Sequence, residues 1–318
     1  MATASPYIGR REAIGFGIET TPGTSVAPTN WMRWLDQDIQ SKTTIVENDS
    51  AMGVVQKVND SAIVEKFAEG KIGGKVTDVS IGYLLYGFFG TISNGAAVGG
   101  IYPHTFSTNA STIPTALTIG HVTPLKNQRY SYGTVESLEI SAEAGGWVQC
   151  AASVKARVGA TASDTPAVST TELEFTSKSV TVKIAANVAG LGAALAVSAK
   201  SVKVTLERPS EAYFPLGVDD LPEFERGSSE VKGELVIRYT DTQFETDYLA
   251  NTSHAMSIVI ANGTTNLTLT ASQVKYRELA KNVDKDKVVT ATLQFTCEFD
   301  NTLGSAIVPV LNNATAAY

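Results

Sequence analysis

The sequence predicts a mainly β protein with two short helices, arranged as two copies of one β-plus-helix unit. Three observations lead there. Apolar and polar residues alternate at period two over much of the chain, two segments switch to a helical period, and the same order of elements occurs twice.

The alternation is clearest in five segments. Val148, Cys150, Ala152, Val154, Ala156 and Val158 point one way, and Gln149, Ser153, Lys155 and Arg157 the other. Near the C-terminus Val289, Ala291, Leu293, Phe295, Cys297 and Phe299 share a face opposite Thr290, Thr292, Gln294, Thr296, Glu298 and Asp300. Val202, Val204 and Leu206 form a third apolar face, Val231, Leu235, Ile237 and Tyr239 a fourth, and Leu138, Ile140 and Ala142 a fifth. One-sided burial of this kind suits antiparallel sheets.

Two segments read as helices. In Asp78–Phe89 the residues Ile81, Leu84, Leu85 and Phe88 fall on one helical face, with Thr77 or Asp78 as N-cap. In Thr242–Ala250, Thr242 and Glu245 have capping-box spacing, and Phe244 and Tyr248 lie one turn apart. Each helix follows a long strand that runs into a Thr-Asp pair, Thr77-Asp78 or Thr240-Asp241, and precedes shorter strands and a long final strand with an inward cysteine. This order predicts two related domains, residues 1–165 and 166–318, joined through the Ala/Ser/Thr-rich stretch Gly159–Thr171. The alternative is one large sandwich that holds two helices. A Pro-rich acidic excursion, Pro209–Glu230, reads as a long loop with apolar anchors in the second domain.

Composition narrows the function. The 318 residues carry a net charge of −7, so a basic grip on nucleic acid is not expected. Charged residues are only 18% of the chain, which leaves a weakly polar surface of the kind that partner subunits cover. Cys150 and Cys297 are too few for a disulfide framework or a zinc site and read as buried and inert, while His104, His121 and His254 are scattered. Trp31 and Trp34 read as core or interface aromatics. Met1–Glu12 lacks the apolar stretch of a secretory signal, and Ile81–Ile92 is short and broken by glycines, so a cytoplasmically made protein with no membrane span is expected.

Catalytic patterns fail on inspection. Gly15-Phe16-Gly17 has Thr20 where a dinucleotide fingerprint needs glycine. Gly73-Gly74-Lys75 has Glu69 and Val76 where a phosphate loop needs glycine and a hydroxyl. Asp219, Asp220, Glu223 and Glu225 lack calcium-loop spacing and read as a solvated acidic loop. No cofactor, metal or catalytic residue is expected.

Four phrases carry a family resemblance. The run Ile14-Gly15-Phe16-Gly17-Ile18-Glu19-Thr20-Thr21-Pro22-Gly23-Thr24-Ser25-Val26-Ala27-Pro28-Thr29 resembles the opening of the tail tube (major tail) proteins of long-tailed bacteriophages, most closely the siphophage type. The strand Lys66–Val76 with the helix after it resembles the family's centre. Tyr102–Phe106 and Tyr132–Ile140 resemble its middle, and Val308-Pro309-Val310-Leu311-Asn312-Asn313 its end.

The resemblance implies a β-sandwich flanked by a helix, assembled into stacked rings around a channel for DNA. It also implies self-association, contact with a tape-measure protein and with tail terminator and tip proteins, and a place in the virion tail. Most such proteins form hexameric rings; two domains per chain would give a trimer with pseudo-sixfold symmetry. Polar faces of the long strands supply lumen candidates: Glu69, Lys71 and Lys75 in the first unit, Lys232, Glu234 and Arg238 in the second. The Gly17–Thr29 arm and the Pro209–Glu230 loop supply ring-to-ring candidates: Phe16, Ile18, Thr21, Pro22 and Val26, then Phe214, Leu216, Asp219, Leu221 and Phe224. The runner-up reading is a phage adhesin, baseplate or decoration module with ligand-binding loops.

Overall fold

The computed structural model describes residues 6–318; the first five residues of the stretch read for a signal lie outside it. In the first half the strands are β1 (Ala13–Ile18), β2 (Asn30–Met32), β3 (Trp34–Gln37), β4 (Gln40–Asn48) and β5 (Asp60–Lys75). Helix α1 (Ser80–Phe89) follows, then β6 (Gly90–Asn94), β7 (Tyr102–Thr108), β8 (Leu117–Val122), β9 (Asn127–Glu143), β10 (Gln149–Ala156) and the short β11 (Ala160–Thr161). The second half holds β12 (Val180–Ala185), β13 (Ala199–Glu207), β14 (Ser210–Tyr213), β15 (Glu223–Arg226) and β16 (Glu230–Arg238). Helix α2 (Gln243–Leu249) leads to β17 (His254–Asn262), β18 (Thr265–Asn282), β19 (Thr290–Cys297) and β20 (Val308–Asn313). The protein is mainly β with two helices and antiparallel sheets packed as a sandwich.

One layer runs unbroken through both halves. Its order is β3 and β4, then β5, β10, β9, β13, β16, β19 and β18, every neighbour antiparallel. The halves meet at β9–β13, where Leu138 opposes Leu206, Ile140 opposes Val204 and Ala142 opposes Val202. These six side chains are buried, so the apolar periodicity specifies the register. The N-terminal parts of β9 and β18 leave this layer for the opposite one, where they pair with β8 and β11, and with β17 and β20. Strand β20 then pairs with β7 of the first half.

Two kinds of β-bulge recur. The β3–β5 register shifts between Trp34 and Asp36, and the β13–β16 register between Ala199 and Ser201. The β9–β10 register shifts at Ser153/Val154, and the β18–β19 register at Tyr276/Glu278. A bulge adds one residue and bends its strand.

Helix α1 is buried nearly all round rather than on the single face its pattern indicated. Strands β1, β2, β6, β7 and β9 pack on it, and Tyr318 closes a further side: it lies against Gly82, donates from its hydroxyl to the Val79 carbonyl at 3.0 Å, and packs edge-on against Tyr83. A Cβ at position 82 would collide with that ring. Neither Thr77 nor Asp78 is the N-cap; Val79 holds that position. The Thr77 hydroxyl still accepts from the Ser80 amide at 3.1 Å, while Asp78 accepts from the Leu173 amide at 2.8 Å and so ties the start of the second half to the helix. The Thr242–Glu245 capping box does not form either, because Glu245 accepts instead from the Tyr239 hydroxyl and Lys281.

Candidate assembly surfaces

The continuous layer turns its apolar face inward. Ile72, Val154, Leu138, Val204, Leu235, Leu293 and Phe295 are buried there, and α1 covers part of them. Strand alternation puts the other side chains on the opposite face. The registers bring Glu69, Lys71 and Lys75 of β5 to the same face as Lys232, Glu234 and Arg238 of β16, although the sequence separates the two sets by about half the chain.

That face is polar and electrically mixed. Glu69 pairs with Lys42 of β4, and Lys155 with Glu136 at 3.0 Å. Lys203 reaches Glu139 across the β9–β13 junction at 3.6 Å. Lys232 pairs with Glu230 at 2.8 Å and Glu207 at 3.5 Å; the hydrogen bond with Glu230 chiefly holds its ammonium above the ordinary lysine value. Exposed pairs of this type add little to stability, because water and salt screen them. Their larger effect is to cancel charge locally across the face.

Lys75 differs from the rest. It ion-pairs with Glu174 at 3.1 Å and sits 3.9 Å over the Trp147 ring. Burial pushes the Glu174 carboxyl up, but the hydrogen bonds from Lys75 and Arg33 outweigh it and hold the group below its ordinary value. Lys75 therefore clamps the segment that enters the second half, and less of it faces outward than the alternation implied.

The ring-to-ring candidates separate into two groups. Phe16 is fully buried, stacked near Tyr83, and Phe224 is buried edge-on against Tyr132. Both rings are enclosed by their own chain, so neither presents a side chain to a neighbour. Ile18 packs on the core and Val26 is half-buried, its amide donating to the Thr118 hydroxyl at 3.0 Å. The arm folds back because buried Glu19 accepts from the Gly23 amide at 2.6 Å, the Thr118 hydroxyl at 2.7 Å and the Tyr132 amide at 2.9 Å. Thr21 and Pro22, at its tip, are exposed.

The expected 209–230 loop contains a hairpin, β14 with β15. Two buried arginines hold its base: Arg208 donates to the Asn109 and Ser111 carbonyls, and Arg226 to the carbonyls of Gly87 and Phe88 at the end of α1. Its tip turns outward. Leu216 and Leu221 are exposed, Phe214 is half-buried, and Asp219 pairs with Lys66 of β5 at 2.7 Å.

A surface that the sequence reading did not single out is the β4–β5 arm. Ile45, Val46, Ile63 and Val64 are exposed on it, with Met52, Val54, Val55 and Val58 in its tip. Ile63 and Val64 are neighbours in one strand, so apolar side chains leave both faces. That adjacency was the signal, since a strand with one solvated face should alternate.

The family model for phage tail tube proteins matches residues 9–297, nearly the whole chain. The chain belongs to that family. A comparison with curated proteins gave no match. Membership makes this a structural protein of the bacteriophage virion, a tail tube component that associates with itself. The surfaces above are thus those of a self-assembling tail tube protein. Among the described residues no helix is long and apolar enough to cross a membrane.

Proposed function

We propose that the chain is a double tube subunit: two tail-tube units, residues 1–165 and 166–318, fused so that three copies close a ring of six units, and rings stack into the channel through which DNA leaves the virion. The observation that carries this reading is the single polar-faced layer that runs from β4 to β18 through both halves.

The pairing pattern supports the two-unit reading strand by strand. Strand β1 corresponds to β12, β3 with β4 to β13, β5 to β16, β8 to β17, β9 to β18, β10 to β19 and β11 to β20, with α1 answering α2. In this correspondence Lys75 answers Arg238, and both bulge pairs coincide: Trp34/Asp36 with Ala199/Ser201, and Ser153/Val154 with Gln294/Phe295. Gly70 answers Gly233, each crossed closely by the strand before it. The cysteines do not correspond: Cys150 lies at the start of β10 and Cys297 at the end of β19. Hairpins β6–β7 and β14–β15 are additions, one to each unit.

The polar face suits a lumen. Its ion pairs leave little uncompensated positive charge for phosphates, and the chain is acidic overall. Before ejection the same face would line the channel around a tape-measure protein, and terminal rings would meet terminator and tip proteins. A ring-to-ring contact is heterologous and extends without closing, which makes a filament. The β4–β5 arm, the Thr21–Pro22 tip and the Leu216–Leu221 tip are the surfaces left for it and for neighbours within a ring.

Electron cryomicroscopy of the concentrated protein tests this reading. Hollow stacked rings with Lys71, Lys232 and Glu234 on the channel wall are expected. Discrete solid particles at every concentration, or those residues on the outer wall, would contradict it.

A further inference from the structure

The junction between the two halves carries a second reading, which rests on the double-subunit proposal. At β9–β13 one unit's last inner strand pairs with the next unit's first inner strand, from Ser137 opposite Glu207 to Glu143 opposite Ser201. The chain has one such junction inside it and two matching edges left over. Among the described residues β4 pairs only with β5, and β18 beyond Tyr276 pairs only with β19. Both edges are exposed: Gln40, Ser41 and Lys42 on one, Glu278, Ala280 and Asn282 on the other. Unpaired edges template association with another strand.

We propose that the internal junction is the template for the contact between copies, so that residues 278–282 of one copy pair antiparallel with residues 38–42 of the next in the transferred register. Carrying β13 back onto β3–β4 and β9 forward onto β18 places Glu278 opposite Lys42, Leu279 opposite Ser41, Ala280 opposite Gln40, Lys281 opposite Ile39, and Asn282 opposite Asp38. The occupant is a second copy of this chain, since each edge is the counterpart of a strand already paired inside it.

The chemistry of the pairs favours this register. Glu278 and Lys42 bring opposite charges together on the polar face, where the internal junction has Lys203 near Glu139. No two like charges are directly opposed among the five pairs. Leu279 and Ile39, which both contact the core, fall on the inner face. A slip of one residue would turn one set outward. A slip of two would separate Glu278 from Lys42.

Paired cysteines test the register in the assembled tube. Directly opposed strand residues lie within disulfide reach. Gln40→Cys with Ala280→Cys should, on mild oxidation, give covalent products that end at a closed trimer. Its internal counterpart, Thr205→Cys with Glu139→Cys, should close within one chain and stay monomeric on a denaturing gel. The slipped pair Gln40→Cys with Asn282→Cys should not cross-link. Native Cys150 and Cys297 do not compete, because both are buried and burial pushes their thiols up to about 12.

Tubes of the Gln40→Cys/Ala280→Cys chain that stay monomeric while the internal pair closes would overturn the register and leave the ring reading intact. Cross-linking of the slipped pair would do the same. Covalent products reaching six chains would overturn the two-unit count. If wild-type protein forms no ring, the double-subunit reading itself fails and the register with it. Should the cysteine variants not assemble, zero-length carbodiimide coupling in wild-type tubes decides: a Lys42–Glu278 cross-link between chains supports the register, and its absence beside a Lys42–Glu69 cross-link within chains contradicts it.

Discussion

Phe16 and Phe224 show how an exposed-looking aromatic becomes core. Each stands among the residues expected at ring-to-ring contacts, and each meets an aromatic ring from a distant element: Tyr83 of α1 stacks near Phe16, and Tyr132 of β9 meets Phe224 edge-on. No local pattern carries such a contact, so sequence reasoning placed both at the surface. Phe16→Ala is expected to cost about 3–5 kcal/mol and to lower the unfolding midpoint in thermal denaturation. Thr21→Ala, on the exposed tip of the same arm, should leave that midpoint unchanged and act on ring stacking. Glu174 was equally invisible, because its partners Arg33 and Lys75 come from the other half. Its carboxyl is held below the ordinary value, so its contribution is present above about pH 4.3 and fades as pH falls through the lowered value. Glu174→Gln should therefore lower the melting temperature at pH 7, and the difference from wild type should shrink as the pH falls below about 4.3. A constant difference across that range would exclude the ion pairs as its cause.

The elements were more legible than the contacts between them. The alternation in Leu138–Ala142, Cys150–Ala156, Val202–Leu206 and Ala291–Cys297 gave the right inward face in each strand, since one-sided burial writes itself directly into the order of residues. It overran the strand ends at Val158, past β10, at Tyr239, past β16, at Val289, before β19, and at Phe299, past β19 and exposed. Helix caps were less legible. Thr and Asp before a helix can serve other partners, and here Asp78 binds the Leu173 amide and Glu245 binds Tyr239 and Lys281. The hairpin within 209–230 was hidden because its Gly/Pro-rich turn resembles a loop. Arg226 fastens it to the end of α1, and burial pushes that guanidinium down to about 10. Arg226→Met should leave two helix carbonyls without their donor, cost about 1–3 kcal/mol, and make the hairpin a preferred cleavage site in limited proteolysis. An unchanged digestion pattern would show that Arg208 and Phe224 hold it without Arg226.

At the scale of the whole molecule, the order of elements was enough to suggest two units, and the six lumen candidates do share one face. What lay outside the sequence was the β9–β13 junction, because strand pairing between units depends on register and not on local composition. The exposed apolar β4–β5 arm is the other large-scale feature. An isolated subunit with so much apolar surface should associate, and replacing Ile45 and Ile63 by Thr should keep the fold while raising the protein concentration at which rings and tubes appear. Light scattering against concentration reads that shift directly. The central claim is that one chain supplies two sixths of a ring. Native mass spectrometry of a single ring tests it most directly: three chains of 33.6 kDa each are expected, and a closed ring of six chains would contradict the account.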